Sequence, residues 1–281
     1  MTATEPAPHQ GGPLAAARDR SFGEEGARLT YGSYLRLPEL LALQVPRSDP
    51  VVHDELLFVT VHQVYELWFA QLLHELTAAR DAMLAGELAQ ARRLLHRVHV
   101  VQRVLVEQIA VLETMTPQDF LRFREHLAPA SGFQSAQFRE VEFLSGAKDP
   151  GFLDRFRGLS AAERARLARR LAEPSLWDAF CQVLAARGLP VKDGEGDGEV
   201  LLQALLTVAR DTDTYGDVWD LAEALLDHDE MSALWRSRHV AMVERQIGTK
   251  SGTGGSTGAP YLRSRLGLHY YPLLWELRSH L

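Results

Sequence analysis

The chain of 281 residues has a single cysteine, Cys181, which excludes an intrachain disulfide framework and any cysteine-built zinc site. A lone thiol suits a reducing compartment, so a cytoplasmic protein is expected. Cys181 lies in the apolar helical stretch DAFCQVLA, and a buried, inert thiol is the reading there. No uninterrupted apolar stretch is long enough to span a bilayer, and the N-terminus lacks the apolar core of a signal peptide, so no membrane partner is expected. Basic residues are outnumbered and scattered, 30 Lys and Arg against 37 Asp and Glu, which argues against general nucleic-acid binding. Strand alternation, hairpin signals and fixed-period repeats are lacking as well.

What remains is helical periodicity, and the expected fold class is all-α. Residues 1–28 are rich in Pro, Gly and Ala and read as a disordered tail, leaving residues 29–281 as one helical domain. LRLPELLALQ is a short amphipathic piece interrupted by Pro38. Asp54 is placed to cap a long helix that is apolar on more than one face, the pattern of a buried helix. A turn at Gly86 leads back into a second long helix that ends near Thr116-Pro117. Four further helical segments follow, with a surface loop at LPVKDGEGDGEV. DEMSALWRSRHVAMVERQI is the last long helix, with Gly248 as its C′ residue.

Behind it comes GTKSGTGGSTG, residues 248–258. A phosphate-binding Walker loop needs Lys after the glycines and a strand before them; here Lys250 precedes the cluster and a helix precedes the loop. The dinucleotide fingerprint fails because Thr257 stands where glycine is required. The apolar segment YLRSRLGLHYYPLLWEL that follows looks packed, so a plain linker is a poor reading too. A functional loop that closes over a small molecule with residues 250–257 is the reading that remains.

Among 11 histidines, His96 and His99 share a helix face but have no carboxylate on it, and His74-Glu75 lacks the second histidine of a zincin motif. Two others sit in apolar stripes. His62 shares a face with Phe58, Tyr65 and Phe69, and His239 with Trp235, Met242, Val243 and Gln246. Such a histidine is more often a hydrogen-bonded core residue than a ligand. The same setting is nevertheless what a haem requires: one nitrogen for iron, and apolar walls for the porphyrin.

The blocks YGSYL, FVTVHQVYELW, LETMTP, FREHLAPASGFQS, WRSRH and IGTKSGTGGSTG, in that order from Tyr31 to about Leu262, resemble the tryptophan 2,3-dioxygenase family. The resemblance implies an all-α fold of long antiparallel helices around a haem b pocket, with ferrous iron for activity. It implies L-tryptophan and O2 as substrates, N-formylkynurenine as product, a role in tryptophan catabolism by the kynurenine pathway, and a homotetramer. By the same resemblance His239 is the axial haem ligand, and His62 is the distal histidine that meets the indole N–H. Arg124 takes the substrate carboxylate, Thr253 the amino-acid end with help from a haem propionate, and Phe58 walls the indole. Ser131 and Gly132 form a turn beside the haem, for which an ordinary helix-start turn is the competing reading. Tyr31, Tyr34 and Leu35 reach into a neighbouring subunit's site, in an intertwined N-terminal segment.

Phe120 and Ile109 replace, respectively, a tyrosine near the substrate carboxylate and an aromatic found in some relatives. The competing activities are insertion of one oxygen atom into tryptophan or a methylated tryptophan, and non-catalytic binding of haem or tryptophan by a helical protein.

Overall fold

The computed structural model describes residues 29–156, 158–191, 198–254 and 257–281. The expected 1–28 tail, and residues 192–197 of the expected surface loop, lie outside the described residues. The chain divides into two units, Met1–Val45 and Pro46–Leu281.

The first unit holds two single-turn helices, α1 (Tyr31–Tyr34) and α2 (Leu37–Leu40). Thr30 caps α1 through a reciprocal pair of hydrogen bonds with Ser33. Pro38 opens α2 rather than interrupting a helix, because its fixed φ and missing N–H suit a first turn. Tyr31, Tyr34 and Leu35 are 76%, 70% and 40% exposed.

The second unit contains α3 (His53–Leu84), α4 (Leu88–Leu112), α5 (Pro117–Phe123), α6 (Ala136–Ser145), α7 (Gly151–Arg155), α8 (Ala161–Ala172), α9 (Leu176–Ala186), α10 (Gly198–Arg210), α11 (Thr212–Ile247), α12 (Ala259–Ser264) and α13 (Pro272–Leu277). No strand occurs among the described residues, and the fold is all-α.

Helix α3 starts at His53, one residue before Asp54, which falls in its first turn and there faces the positive end of the helix dipole. Glu55 is fully buried, and its carboxylate accepts from the backbone N–H of Arg47 (2.6 Å) and Ser48 (2.9 Å), which fixes the entry to the helix. The chain reverses at Gly86, whose φ of 76° falls in the region that favours glycine. Helix α4 ends at Leu112, earlier than the sequence pattern suggests, because Thr116 caps a new helix with Pro117 in its first turn. Helix α11 is longer than expected: it begins at Thr212, bends at Tyr215 and runs without a further break to Ile247.

Helix α4 packs against α3 on one side and α11 on the other, and α3 also meets α6 and α9. Leu76, Ala79, Ala91, Leu95 and Val98 are wholly buried along the α3–α4 seam, where the two alanines let the backbones approach closely. By length and composition α3 could cross a membrane, with a mean hydropathy of 1.2 over its most apolar window, although polar residues interrupt its apolar runs. Its apolar surface on several sides matches its position against α4, α5, α6 and α9.

The segment after α12 is packed, as expected. Asp229 on α11 is fully buried, and one of its carboxylate oxygens accepts from the N–H of Tyr270 (2.9 Å), the N–H of Tyr271 (3.1 Å) and the indole N–H of Trp275 (3.0 Å). Three donors offset much of the cost of burying that charge and pin the C-terminal segment to α11. Cys181 is half-buried, and its surroundings push the thiol up to about 12, an unreactive group as the sequence implied.

Candidate functional site

Between α3 and α11 lies a cavity of about 570 Å³, within the range of small-molecule sites. The stripes read from the sequence form its two long walls: Phe58, His62, Tyr65 and Phe69 from α3, and Trp235, His239, Met242, Val243 and Gln246 from α11. The period of 3.6 residues per turn makes each set one face, so both histidines meet the same space.

The two imidazoles are held differently. His62 Nδ1 lies 2.7 Å from the Phe58 carbonyl oxygen one turn back, and its ring packs on the Phe58 ring at 4.0 Å. A carbonyl only accepts, so Nδ1 carries the proton and Nε2 is left as the acceptor of a neutral ring. Burial lowers the His62 pKa from its ordinary value, opposed by the Phe58 carbonyl and by Glu66. The His239 ring makes no hydrogen bond among the described residues and stacks nearly parallel on Trp235, 4.9 Å between centroids at 13°. Burial, with a smaller push from His62, brings its pKa down to about 4, so it too is neutral and keeps its lone pair.

The end of α11 that carries these groups is tied down. Gln246 Nε2 donates to the carbonyls of Met115 and Thr116, both at 3.2 Å, and Arg238 pairs with Glu113 at 3.0 Å. Below the cavity His99 Nε2 is engaged by the Ala224 carbonyl at 2.9 Å, which gives that helical histidine a structural task. Phe120 and Phe123 flank Phe58, each 5.6 Å away between ring centroids. Ile109 is buried in the core and does not line the cavity.

The cavity rim is polar. Arg124 donates through Nη2 to the Ser251 carbonyl, and Thr253 Oγ1 donates to the Ala130 carbonyl at 2.6 Å. Both side chains line the cavity, as do Ser131 and Gly132. Ser131 also caps the short 3-10 turn Gly132–Gln134 through a capping box, so the helix-start reading of this residue holds as well. Gly254 is pressed against that turn: a Cβ there would come within 2.5 Å of the Ser131 Cβ and 3.3 Å of the Pro129 carbonyl. Residues 255 and 256 of the expected lid lie outside the described residues.

The structure thus gathers Phe58, His62, Arg124 and Thr253 with Ser131, Gly132 and His239 around one space. Tyr31, Tyr34 and Leu35 belong to the N-terminal unit. Sequence reasoning missed a second charged group on the cavity wall, formed by Arg139, Glu142, Arg236 and Arg265. The signal available was Arg139 and Glu142 at a spacing of three on α6, the reach of an intrahelical ion pair.

Comparison with known proteins agrees with this geometry. The family model described as tryptophan 2,3-dioxygenase matches residues 16–182 and 198–281. A tryptophan 2,3-dioxygenase of Nocardioides sp. is 66% identical over 265 residues, 93% of this chain and 98% of that protein. The tryptophan 2,3-dioxygenase of Herpetosiphon aurantiacus is 45% identical over 90% of this chain and 98% of its own length. A third, from Anaeromyxobacter sp., is 45% identical over 91% of this chain and 97% of its own length. The chain belongs to the tryptophan 2,3-dioxygenase family.

Proposed function

We propose that this chain opens the indole C2–C3 bond of L-tryptophan with O2 to give N-formylkynurenine, the first step of tryptophan catabolism by the kynurenine route, with haem b as cofactor. The observation that carries the reading is the pair of neutral histidines on facing helices of one cavity, with an arginine and a threonine at its rim. The residues fit a haem: His239 has no competing hydrogen bond among the described residues, and its walls are mostly aromatic and aliphatic. Haem with ferrous iron supplies the redox chemistry that makes O2 reactive toward an electron-rich ring.

The protein's part is orientation and exclusion of water. His239 would hold the haem iron through a ring nitrogen. The His62 Nε2 lone pair receives the indole N–H, a donor that a protonated imidazole would repel. Arg124 takes the substrate carboxylate by a charge-assisted contact, and Thr253 holds the amino-acid end. Phe58 and Phe120 flank the indole, while Ser131 and Gly132 border the cofactor. No general base is needed, because the attacking group is the indole carbon itself.

The exposed aromatic and aliphatic residues Tyr31, Tyr34 and Leu35 support a homotetramer in which they reach a neighbouring subunit's site. A lone, unreactive cysteine supports a cytoplasmic location.

The test is one anaerobic reduction followed by O2 and tryptophan, with mass detection of the product. A gain of two oxygen atoms with ring opening is expected. A gain of one oxygen with the ring intact would overturn the dioxygenase assignment, and a colourless protein that takes up no haem would overturn the cofactor.

A further inference from the structure

Glu142 is 2% exposed on α6, and two guanidiniums approach it. Arg139, one turn back on the same helix, contacts Oε2 directly through Nη1. Arg265, the C-cap residue of α12, reaches only to 3.7 Å from Oε1, beyond hydrogen-bond distance. Arg236, three residues before His239, lies on the same wall of the cavity and spends its Nη atoms on the Leu268 carbonyl (2.5 Å) and the Tyr270 hydroxyl (3.4 Å).

The charges do not balance. Arg139, Arg236 and Arg265 line the cavity alongside Glu142, while Glu66, the other carboxylate of the lining, sits on α3 and accepts from Gln137 Nε2 at 2.8 Å. Of the other buried carboxylates, Glu140 on the same helix is paired with Arg166 and Arg170, and Asp229 has an oxygen committed to the N–H groups of Tyr270, Tyr271 and Trp275. Arg139 and Arg236 are themselves buried, and the Nε of each has no hydrogen-bond partner among the described residues. Excess positive charge with unsatisfied donors on the wall of a mostly apolar cavity is costly unless an anion completes it.

Arg265 is the member placed to receive that anion. It is a third exposed, and its planar fork is free of close pairing. Its helix is fixed by the edge of the Tyr261 ring against Phe133, 4.5 Å between centroids, which joins it to the turn that Ser131 caps. Arg124, by contrast, is tied to Ser251 ahead of the glycine cluster. The cavity therefore offers guanidiniums on two separate elements, and the proposed reaction brings carboxylates from two sources: one on the amino acid, two on the edge of haem b.

We propose that Arg265, backed by the Arg139–Glu142 pair, anchors a propionate of the cofactor and so sets its orientation over His239. The assignment rests on the haem reading above. It makes Arg265 a cofactor-binding residue, Glu142 and Arg139 positioning residues, and leaves the substrate carboxylate to Arg124.

The experiment uses holoprotein loaded with iron protoporphyrin IX or with its dimethyl ester, which has the same ring but no propionate charge. Cofactor loss to an excess of a haem-scavenging globin is followed in the Soret band. From the wild-type protein the ester should leave roughly ten times faster or more, the worth of a charge-assisted contact. Arg265→Met should speed loss of the natural cofactor by about tenfold and leave loss of the ester within about twofold, so that the discrimination narrows. Arg265→Lys should recover part of it. Equal acceleration for both porphyrins, or undiminished discrimination in Arg265→Met, overturns the anchor. A raised KM for tryptophan with discrimination intact overturns it too, and would move Arg265 to the substrate. Wild-type protein that retains neither porphyrin refutes the haem reading itself.

Discussion

Arg124 donates through its Nη2 to the carbonyl oxygen of Ser251, so the guanidinium proposed to take the substrate carboxylate already holds the glycine loop. One side chain would thus join the substrate to the loop. Arg124→Met is expected to raise KM for tryptophan by roughly tenfold to a hundredfold, the worth of a charged hydrogen bond. It should also open residues 250–254 to protease without substrate, whereas in the wild-type protein added tryptophan should slow that cleavage. Steady-state kinetics and limited proteolysis on the same samples check the coupling. A raised KM with wild-type cleavage would show that loop and clamp are independent.

Gly254 makes the loop's seat. The 2.5 Å approach of a built Cβ to the Ser131 side chain leaves no room for a methyl group, and neither Pro129 nor the capped turn can move aside cheaply. Gly254→Ala should lift Thr253 from the Ala130 carbonyl and raise KM about tenfold, in line with one lost hydrogen bond plus a clash. The haem content should not change. Ser131→Gly in the same chain removes the obstructing Cβ and should return part of the lost affinity. A double variant no better than Gly254→Ala would place the clash elsewhere.

The walls of the site were legible in the sequence because each is one helix read at its own period. Phe58, His62, Tyr65 and Phe69, and likewise Trp235, His239 and Met242, became neighbours through helical geometry alone. Helix ends were less legible. Asp54 looked like a cap but sits inside its helix, and α4 stops at Leu112 because Thr116 and Pro117 start a new one, a competition that apolar periodicity does not register. Arg265 and Glu142 were out of reach for another reason: they lie 123 residues apart, and only the tertiary fold brings the residue that ends α12 to within 3.7 Å of the α6 carboxylate. The resemblance named Arg124, but its hold on the loop that follows α11 was not legible, because the two partners lie 127 residues apart.

The two cavity histidines should separate under mutation. His239→Ala is expected to lose stable haem binding, seen as a missing Soret band, and full loading in that variant would end the axial assignment. His62→Ala should lower activity without abolishing it, because the lost contact is one hydrogen bond of about 1 kcal/mol, or about fivefold. The pH profile adds a sign. Burial depresses the His62 pKa, so the ring stays neutral and able to accept an N–H to lower pH than an ordinary histidine. The acid limb of kcat/KM should therefore fall below that of an ordinary histidine and should be lost in His62→Ala. An acid limb that persists unchanged in the variant would assign the titration to another group.

His228 gives the fold its own acid sensitivity. The ring is fully buried, with Nε2 2.8 Å from Ser145 Oγ. That hydroxyl spends its proton on the Val141 carbonyl at 2.8 Å, so Nε2 is the donor and carries the hydrogen. Nδ1 is then a buried acceptor without a partner among the described residues. A second proton would have nowhere to bond, inside a site already facing His99 and Arg236. Burial first, and those two neighbours next, bring the pKa down to about 3 from 6.5. The unfolded chain binds a proton below pH 6.5 that the folded chain refuses, so stability is full above 6.5 and falls as pH drops toward 3. The slope approaches about 1.4 kcal/mol per pH unit at most. Urea unfolding midpoints measured from pH 7.5 to about 4.5 should decline more steeply in the wild-type protein than in His228→Gln, which cannot titrate there. Parallel declines in the two proteins would show that the acid sensitivity comes from other groups.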